Sequence, residues 1–126
     1  MSLKFLVVDD SVTMRRIVVN SLKNLGYEDI IEATDGKDAL IRLSADEKIN
    51  FVITDWNMPV LSGLELTRAI KSDERLSQIP VLMVTTRGVK EDIIDALKAK
   101  VNNYVVKPFT PQILREKIDQ IIATLN

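Results

Sequence analysis

The sequence predicts an α/β domain: one parallel sheet, doubly wound, with helices on both faces. Three observations carry this. Short apolar, β-branched runs alternate along the chain with longer segments whose apolar residues recur at helical spacing. The strand-like runs are continuously apolar, as expected of strands buried on both faces and joined by crossover helices. Most of the runs stop abruptly in residues suited to chemistry, and open parallel sheets bind ligands at the carboxyl ends of their strands.

Taken in order, Lys4 to Val8 reads as the first strand, ending at Asp9-Asp10. Ser11 is a helix N-cap, with both acids near the positive end of the helix dipole. Met14, Ile17, Val18, Leu22 and Leu25 form the apolar face of that helix, and Gly26 supplies its left-handed stop. Asp29 to Ala33 is a second strand. Asp35-Gly36 opens a helix with Ala39, Leu40 and Leu43 as its stripe. Phe51 to Asp55 is the third strand, an apolar, β-branched run that ends at Asp55, and Met58-Pro59 forbids a smooth continuation beyond it. Ser62-Gly63-Leu64-Glu65 is a capping-box pattern that starts a helix carrying Leu64, Leu66, Ala69 and Ile70. Pro80 to Val84 is a fourth strand, ending at Thr85-Thr86, and a helix with Ile93, Ile94 and Leu97 follows. Tyr104-Val105-Val106 is the fifth strand and ends at Lys107-Pro108. Thr110-Pro111 then sets an N-cap with proline at the first helical position. The last helix carries Ile113, Leu114, Ile118, Ile121, Ile122 and Leu125.

Composition narrows the function. The 126 residues suit one domain, expected to span 1–126 with no separate output domain, no repeat and no linker. A formal net charge of -1 gives no basic field for nucleic acid. The chain has no cysteine, hence no disulfide framework or thiolate metal site. It has no histidine, so if it handles phosphate it is not the histidine-bearing partner. No apolar run reaches the length of a membrane span and no signal peptide is evident, so a cytoplasmic location is expected.

The strand ends gather Asp9, Asp10, Asp55, Thr85 and Lys107 on one rim. Crowded carboxylates favour a proton or a cation. Oxygen ligands suit a hard divalent ion such as Mg²⁺, which takes only one or two carboxylates and leaves another acid free. An aspartate can accept a phosphoryl group as an acyl phosphate. Such transfer needs mainly positioning and charge neutralisation, which the cation and Lys107 can supply while Thr85 donates a hydrogen bond. No Gly-rich nucleotide loop occurs, so the donor must come from outside.

The segments Val7-Val8-Asp9-Asp10-Ser11, Thr54-Asp55-Trp56-Asn57-Met58-Pro59, Ser62-Gly63, Val84-Thr85-Thr86 and Val106-Lys107-Pro108-Phe109 together resemble a response-regulator receiver domain, from Lys4 to the C-terminus. The likeness is greatest to the stand-alone chemotaxis members of that family. It implies a flavodoxin-like sheet of order 2-1-3-4-5. It implies that a histidine kinase phosphorylates Asp55 in a Mg²⁺-dependent reaction, with Asp9, Asp10, Asp55 and the Asn57 carbonyl around the metal. Thr85, Thr86 and Lys107 would contact the phosphoryl group, Thr85 and Tyr104 would form the switch, and Lys107-Pro108 would be cis. Glu91, Ile94, Lys98, Tyr104 and Lys117 would form the partner face. The implied partners are the kinase, the flagellar motor switch and a phosphatase, with no membrane insertion. The protein would be a signalling switch that catalyses its own phosphotransfer and dephosphorylation, without being an enzyme in the ordinary sense.

Two positions depart from the family pattern. Ala99-Lys100-Val101-Asn102-Asn103 stands where small or glycine residues are common, so either the turn ends differently or Lys100 is strained. Thr86 stands where alanine is frequent. A phosphorelay intermediate remains an alternative. A Mg²⁺-dependent phosphatase with an aspartate nucleophile is disfavoured, because Asp9 and Asp10 are adjacent and no cap domain is present. A flavin-binding relative is disfavoured because the first loop lacks a Ser/Thr/Gly-rich cradle. Trp56 reads as packing or surface, without a chemical role. Asn57 and Arg87 occupy the variable positions two residues beyond Asp55 and Thr85.

Overall fold

Five parallel strands pair in the order β2-β1-β3-β4-β5. The computed structural model describes residues 2–86 and 90–125, with the backbone alone considered for 90–93. The strands are β1 (Phe5–Val8), β2 (Ile30–Ala33), β3 (Phe51–Asp55), β4 (Val81–Thr85) and β5 (Asn103–Val106). The helices are α1 (Val12–Asn24), α2 (Gly36–Ala45), α3 (Gly63–Ser72), α4 (Lys90–Lys98) and α5 (Pro111–Thr124). Side chains on successive strand residues point to opposite faces, so the sheet builds two cores. Phe5, Val7, Phe51, Ile53, Leu82, Val84 and Val105 pack with α1 and α5. Leu6, Val8, Val52, Val81 and Met83 pack on the other face with α2, α3 and α4.

The predicted caps Ser11, Ser62 and Thr110 are present, and Asp35 caps α2 as well. The Ser11, Asp35 and Thr110 side chains each accept a backbone N–H in the first turn of their helix. Ser62 and Glu65 complete a reciprocal capping box.

The helix faces differ from the predicted stripes. In α1 the predicted Val18 and Leu22 are buried, but Ile17 is exposed and Val19, which the stripe omitted, is buried. In α4, Ile94 and Leu97 face outward, while the small Ala96 and Ala99 are buried. The buried side of α4 is therefore its small-residue side, and Ile94 and Leu97 turn toward solvent. The Ile93 side chain lies outside the described residues. In α5 the buried line is Leu114, Ile118 and Ile121, leaving Ile113 and Leu125 partly exposed. The edge strands β2 and β5 are only partly buried, because each has a neighbour on one side alone.

Helices α1 and α4 end in the same way on different residues. Gly26 and Tyr27 donate to the Lys23 and Leu22 carbonyls, and Lys100 and Val101 donate to those of Leu97 and Ala96. Both are Schellman motifs, which require a left-handed residue. Gly26 has φ +96° and Lys100 has φ +71°. The lysine therefore carries the strain the sequence suggested. Lys100→Gly is expected to raise stability by about 0.5–1 kcal/mol in denaturant unfolding, since the side chain is exposed and the conformation favours glycine.

Beyond that turn, Asn102 accepts from Val81 N–H (2.9 Å) and from Lys71 Nζ (3.0 Å), and Lys71 also donates to the Ile79 carbonyl at 2.8 Å. This node fixes the entrance of β5 against β4. Burial, with the charge of Lys100, lowers the Lys71 pKa.

Candidate functional site

Strand register assembles the rim. Val8 pairs with Thr54, so the residues that follow, Asp9 and Asp55, leave the sheet side by side. Thr85 pairs with Val106, so Lys107 emerges at the end of β5, and its N–H donates to the Thr85 carbonyl at 2.7 Å. The Lys107-Pro108 peptide is cis, as expected.

Asp9, Asp10 and Asp55 each offer a carboxylate oxygen within 4.8 Å of the others. Asp9 is buried, Asp55 half-buried and Asp10 exposed. Lys107 Nζ stands 3.5 Å from Asp9 Oδ2 and 3.6 Å from Asp55 Oδ1. Such a set of hard oxygen donors fits a divalent cation.

The three acids are held very differently. Asp9 N–H donates to the Ala33 carbonyl, and Arg15 Nη1 donates to the Asp9 carbonyl. Asp9 Oδ1 accepts the Ser11 N–H at 2.9 Å, and Oδ2 faces Lys107. The polar groups of Asp9 are thus committed to the protein. Asp55 Oδ1 accepts the Trp56 N–H at 2.8 Å. Burial is the largest influence on the Asp55 carboxyl and raises its pKa above 3.8. The Lys107 charge opposes this, Asp9 adds to it, and the Trp56 N–H opposes it again. Asp55 is therefore a carboxylate whose negative charge the fold leaves incompletely compensated.

Thr85 is buried at the end of β4 and Thr86 is exposed beside it. Tyr104 is half-buried against the core on the α2–α4 face. Thr85 continues the set Val81 and Met83, so strand alternation places it on that same face. Asp9, Asp55 and Lys107 continue the opposite set. The Lys117 ammonium lies 5.7 Å from the Tyr104 ring centre, and Ile94 and Lys98 are exposed on α4. The Glu91 side chain and Arg87 lie outside the described residues. Asn57 is exposed in the loop after β3. Trp56 is 7% exposed and belongs to the core, so packing is its role and the surface reading falls.

Sequence reasoning quoted Gly63 in a motif but assigned neither it nor Arg15 a supporting role at this rim. Gly63, at the start of α3, donates its N–H to the Trp56 carbonyl at 2.9 Å, and a Cβ there would run into the Asp55 carbonyl. Arg15 reaches back from α1 to the Asp9 carbonyl. Neither residue type is unusual in its helix, and only the tertiary approach reveals the function. The loop between Asp55 and Gly63 also holds an unforeseen turn. Leu61 N–H donates to the Pro59 carbonyl across Val60, which has φ +69°, a strained γ-turn for a β-branched residue.

The response regulator receiver domain profile matches residues 5–119. The chain is 53% identical over 122 residues to the chemotaxis protein CheY1 of Helicobacter pylori, covering 97% of this chain and 98% of that one. It is 50% identical over 124 residues to the chemotaxis protein CheY of Pseudomonas aeruginosa, covering 98% and 99%. A solved structure of the chemotaxis protein CheY4 of Vibrio cholerae aligns with a TM-score of 0.87 at 31% identity, covering 96% of this chain and 99% of that one. Among the described residues, no helix is long and apolar enough to cross a membrane.

Proposed function

The chain belongs to the response regulator receiver domain family, and we propose that it is the phosphoaccepting switch of a two-component system that controls chemotaxis. The observation that carries this reading is Asp55, half-buried between Asp9 and Lys107 at the end of the central strand. A carboxylate oxygen of Asp55 forms the new O–P bond as the P–N bond of a histidine kinase's phosphohistidine breaks, releasing the imidazole. Mg²⁺, when bound, neutralises charge on the transferring group. Exposed Asp10, half-buried Asp55 and the Asn57 carbonyl are the groups that would hold it, with Asp9 acting from behind through its fixed carboxylate. Lys107 stabilises negative charge at the phosphoryl oxygens, and the Thr85 and Thr86 end of β4 supplies hydrogen bonds to them.

The switch works by drawing Thr85 toward the modified Asp55. Tyr104, on the same face of the sheet, then repacks, and the surface formed by Glu91, Ile94, Lys98, Tyr104 and Lys117 changes its preference for a partner. The partner proposed is the flagellar motor switch, with a phosphatase resetting the system. Binding of a motor-switch peptide should tighten by roughly tenfold when Asp55 carries a stable phosphoryl mimic. Equal affinities in the two states would refute the switch while leaving phosphoacceptance intact.

A further inference from the structure

The geometry points to Arg15 as a positioning residue for the acid cluster, acting by fixing the peptide plane that joins Asp9 to Asp10. This rests on the reading of the cluster as a Mg²⁺ site.

Arg15 lies in the first part of α1, and its side chain is only 12% exposed. Its Nη1 donates to the Asp9 carbonyl at 2.8 Å, and its Nε donates to Glu32 Oε1 at 2.9 Å. The Asp9 carbonyl and the Asp10 N–H belong to one planar peptide. Holding that oxygen sets the last backbone angle of Asp9 and the direction in which the chain enters Asp10. Asp9 is restrained at several other points, through Ala33, Ser11 and Lys107. Asp10 is exposed, and the fixed peptide before it restrains its entry into the rim.

Glu32 supports the arrangement from β2. It stands next to Ala33, whose carbonyl accepts the Asp9 N–H. The ion pair is half exposed on the Glu32 side, so its own contribution to stability is small. What it contributes is orientation, because a planar guanidinium engaged through Nε and Nη1 has little freedom to rotate. Groups behind a metal ligand that fix its direction commonly alter affinity tenfold or more when removed.

This assignment has a sign that a charge effect alone does not share. Arg15 is a cation near a cation site, so removing its charge and nothing else strengthens Mg²⁺ binding. Loss of a positioning contact weakens it. Mg²⁺ affinity is read from Trp56 fluorescence and, independently, from the Mg²⁺-induced thermal shift, in the unmodified protein, Arg15→Ala and Arg15→Lys. Each variant is also melted in chelator to separate stability from affinity. We expect Arg15→Ala to bind Mg²⁺ roughly tenfold more weakly at temperatures where it is fully folded. Arg15→Lys keeps the charge but cannot bridge both acceptors, so it should resemble the alanine variant. An unchanged or tighter affinity in Arg15→Ala, or full affinity in Arg15→Lys, overturns the inference. Absence of any Mg²⁺ response in the unmodified protein, by both readouts, overturns the metal reading and this inference with it.

Discussion

Gly63→Ala should destabilise the protein by about 3 kcal/mol or more and blunt every response that depends on Asp55. The added methyl has no free space. It meets the Asp55 backbone carbonyl and then carbon, with the Met83 sulfur 3.0 Å away. These neighbours are backbone and buried core, which cannot step aside as an exposed side chain can. Helix α3 must retreat, which breaks the Gly63 N–H bond to the Trp56 carbonyl and shifts the peptide that follows Asp55. Gly26 provides the contrast. A Cβ there meets nothing within 4 Å, and the cost is only that of a left-handed backbone at φ +96°. Gly26→Ala should therefore lose about 1–2 kcal/mol and retain Mg²⁺ and phosphodonor responses. Denaturant unfolding of both variants checks the difference. A Gly63→Ala protein as stable as its parent would mean the close approach is not held in solution.

Asp55→Asn should make the protein more stable in chelator, by about 1 kcal/mol or more, which corresponds to a rise of a few degrees in Tm. The sign follows from linkage. The Asp55 pKa is raised in the folded state, first by burial. The folded protein therefore disfavours the ionised form relative to the unfolded chain. Stability from this group is greatest below the unfolded value near 3.8 and is lost as pH rises through the raised folded value. At neutral pH the charge is a net cost, and asparagine removes it. Lys107 then loses one carboxylate neighbour but keeps Asp9. Asp10→Asn should act in the same direction and more weakly, because Asp10 is exposed and better screened. Melts in chelator at pH 7 and pH 4 test both the sign and its pH dependence. The gain for Asp55→Asn should shrink at the lower pH. A lower Tm for both variants at pH 7 would show that the three acids are not crowded.

The sequence exposes what is local and what is periodic. Five apolar runs, their polar terminations and the capping residues Ser11, Ser62 and Thr110 are all legible without coordinates, because each depends on residues within a few positions. The rotation of a helix about its axis is not local. In α4 the larger residues Ile94 and Leu97 suggest the buried side, yet Ala96 and Ala99 are the residues that are buried. Lys100 shows a conflict that sequence can flag and only structure can resolve. The Schellman motif wins, and the lysine accepts a left-handed backbone. At the rim, Asp9, Asp10, Asp55 and Lys107 are legible because each terminates a strand. Arg15 and Gly63 are not, because they reach the rim from helices through contacts that no spacing rule encodes.

The central claim is that Asp55 accepts a phosphoryl group. The most direct test is the intact mass of the protein after incubation with Mg²⁺ and a small phosphodonor such as acetyl phosphate, beside Asp55→Asn and beside a chelator control. The account predicts one added phosphoryl group on the unmodified protein, none on Asp55→Asn, and none in chelator. An equal mass gain in Asp55→Asn would place the chemistry on another residue. No gain in the unmodified protein with Mg²⁺ present would leave a receiver fold that does not accept phosphate.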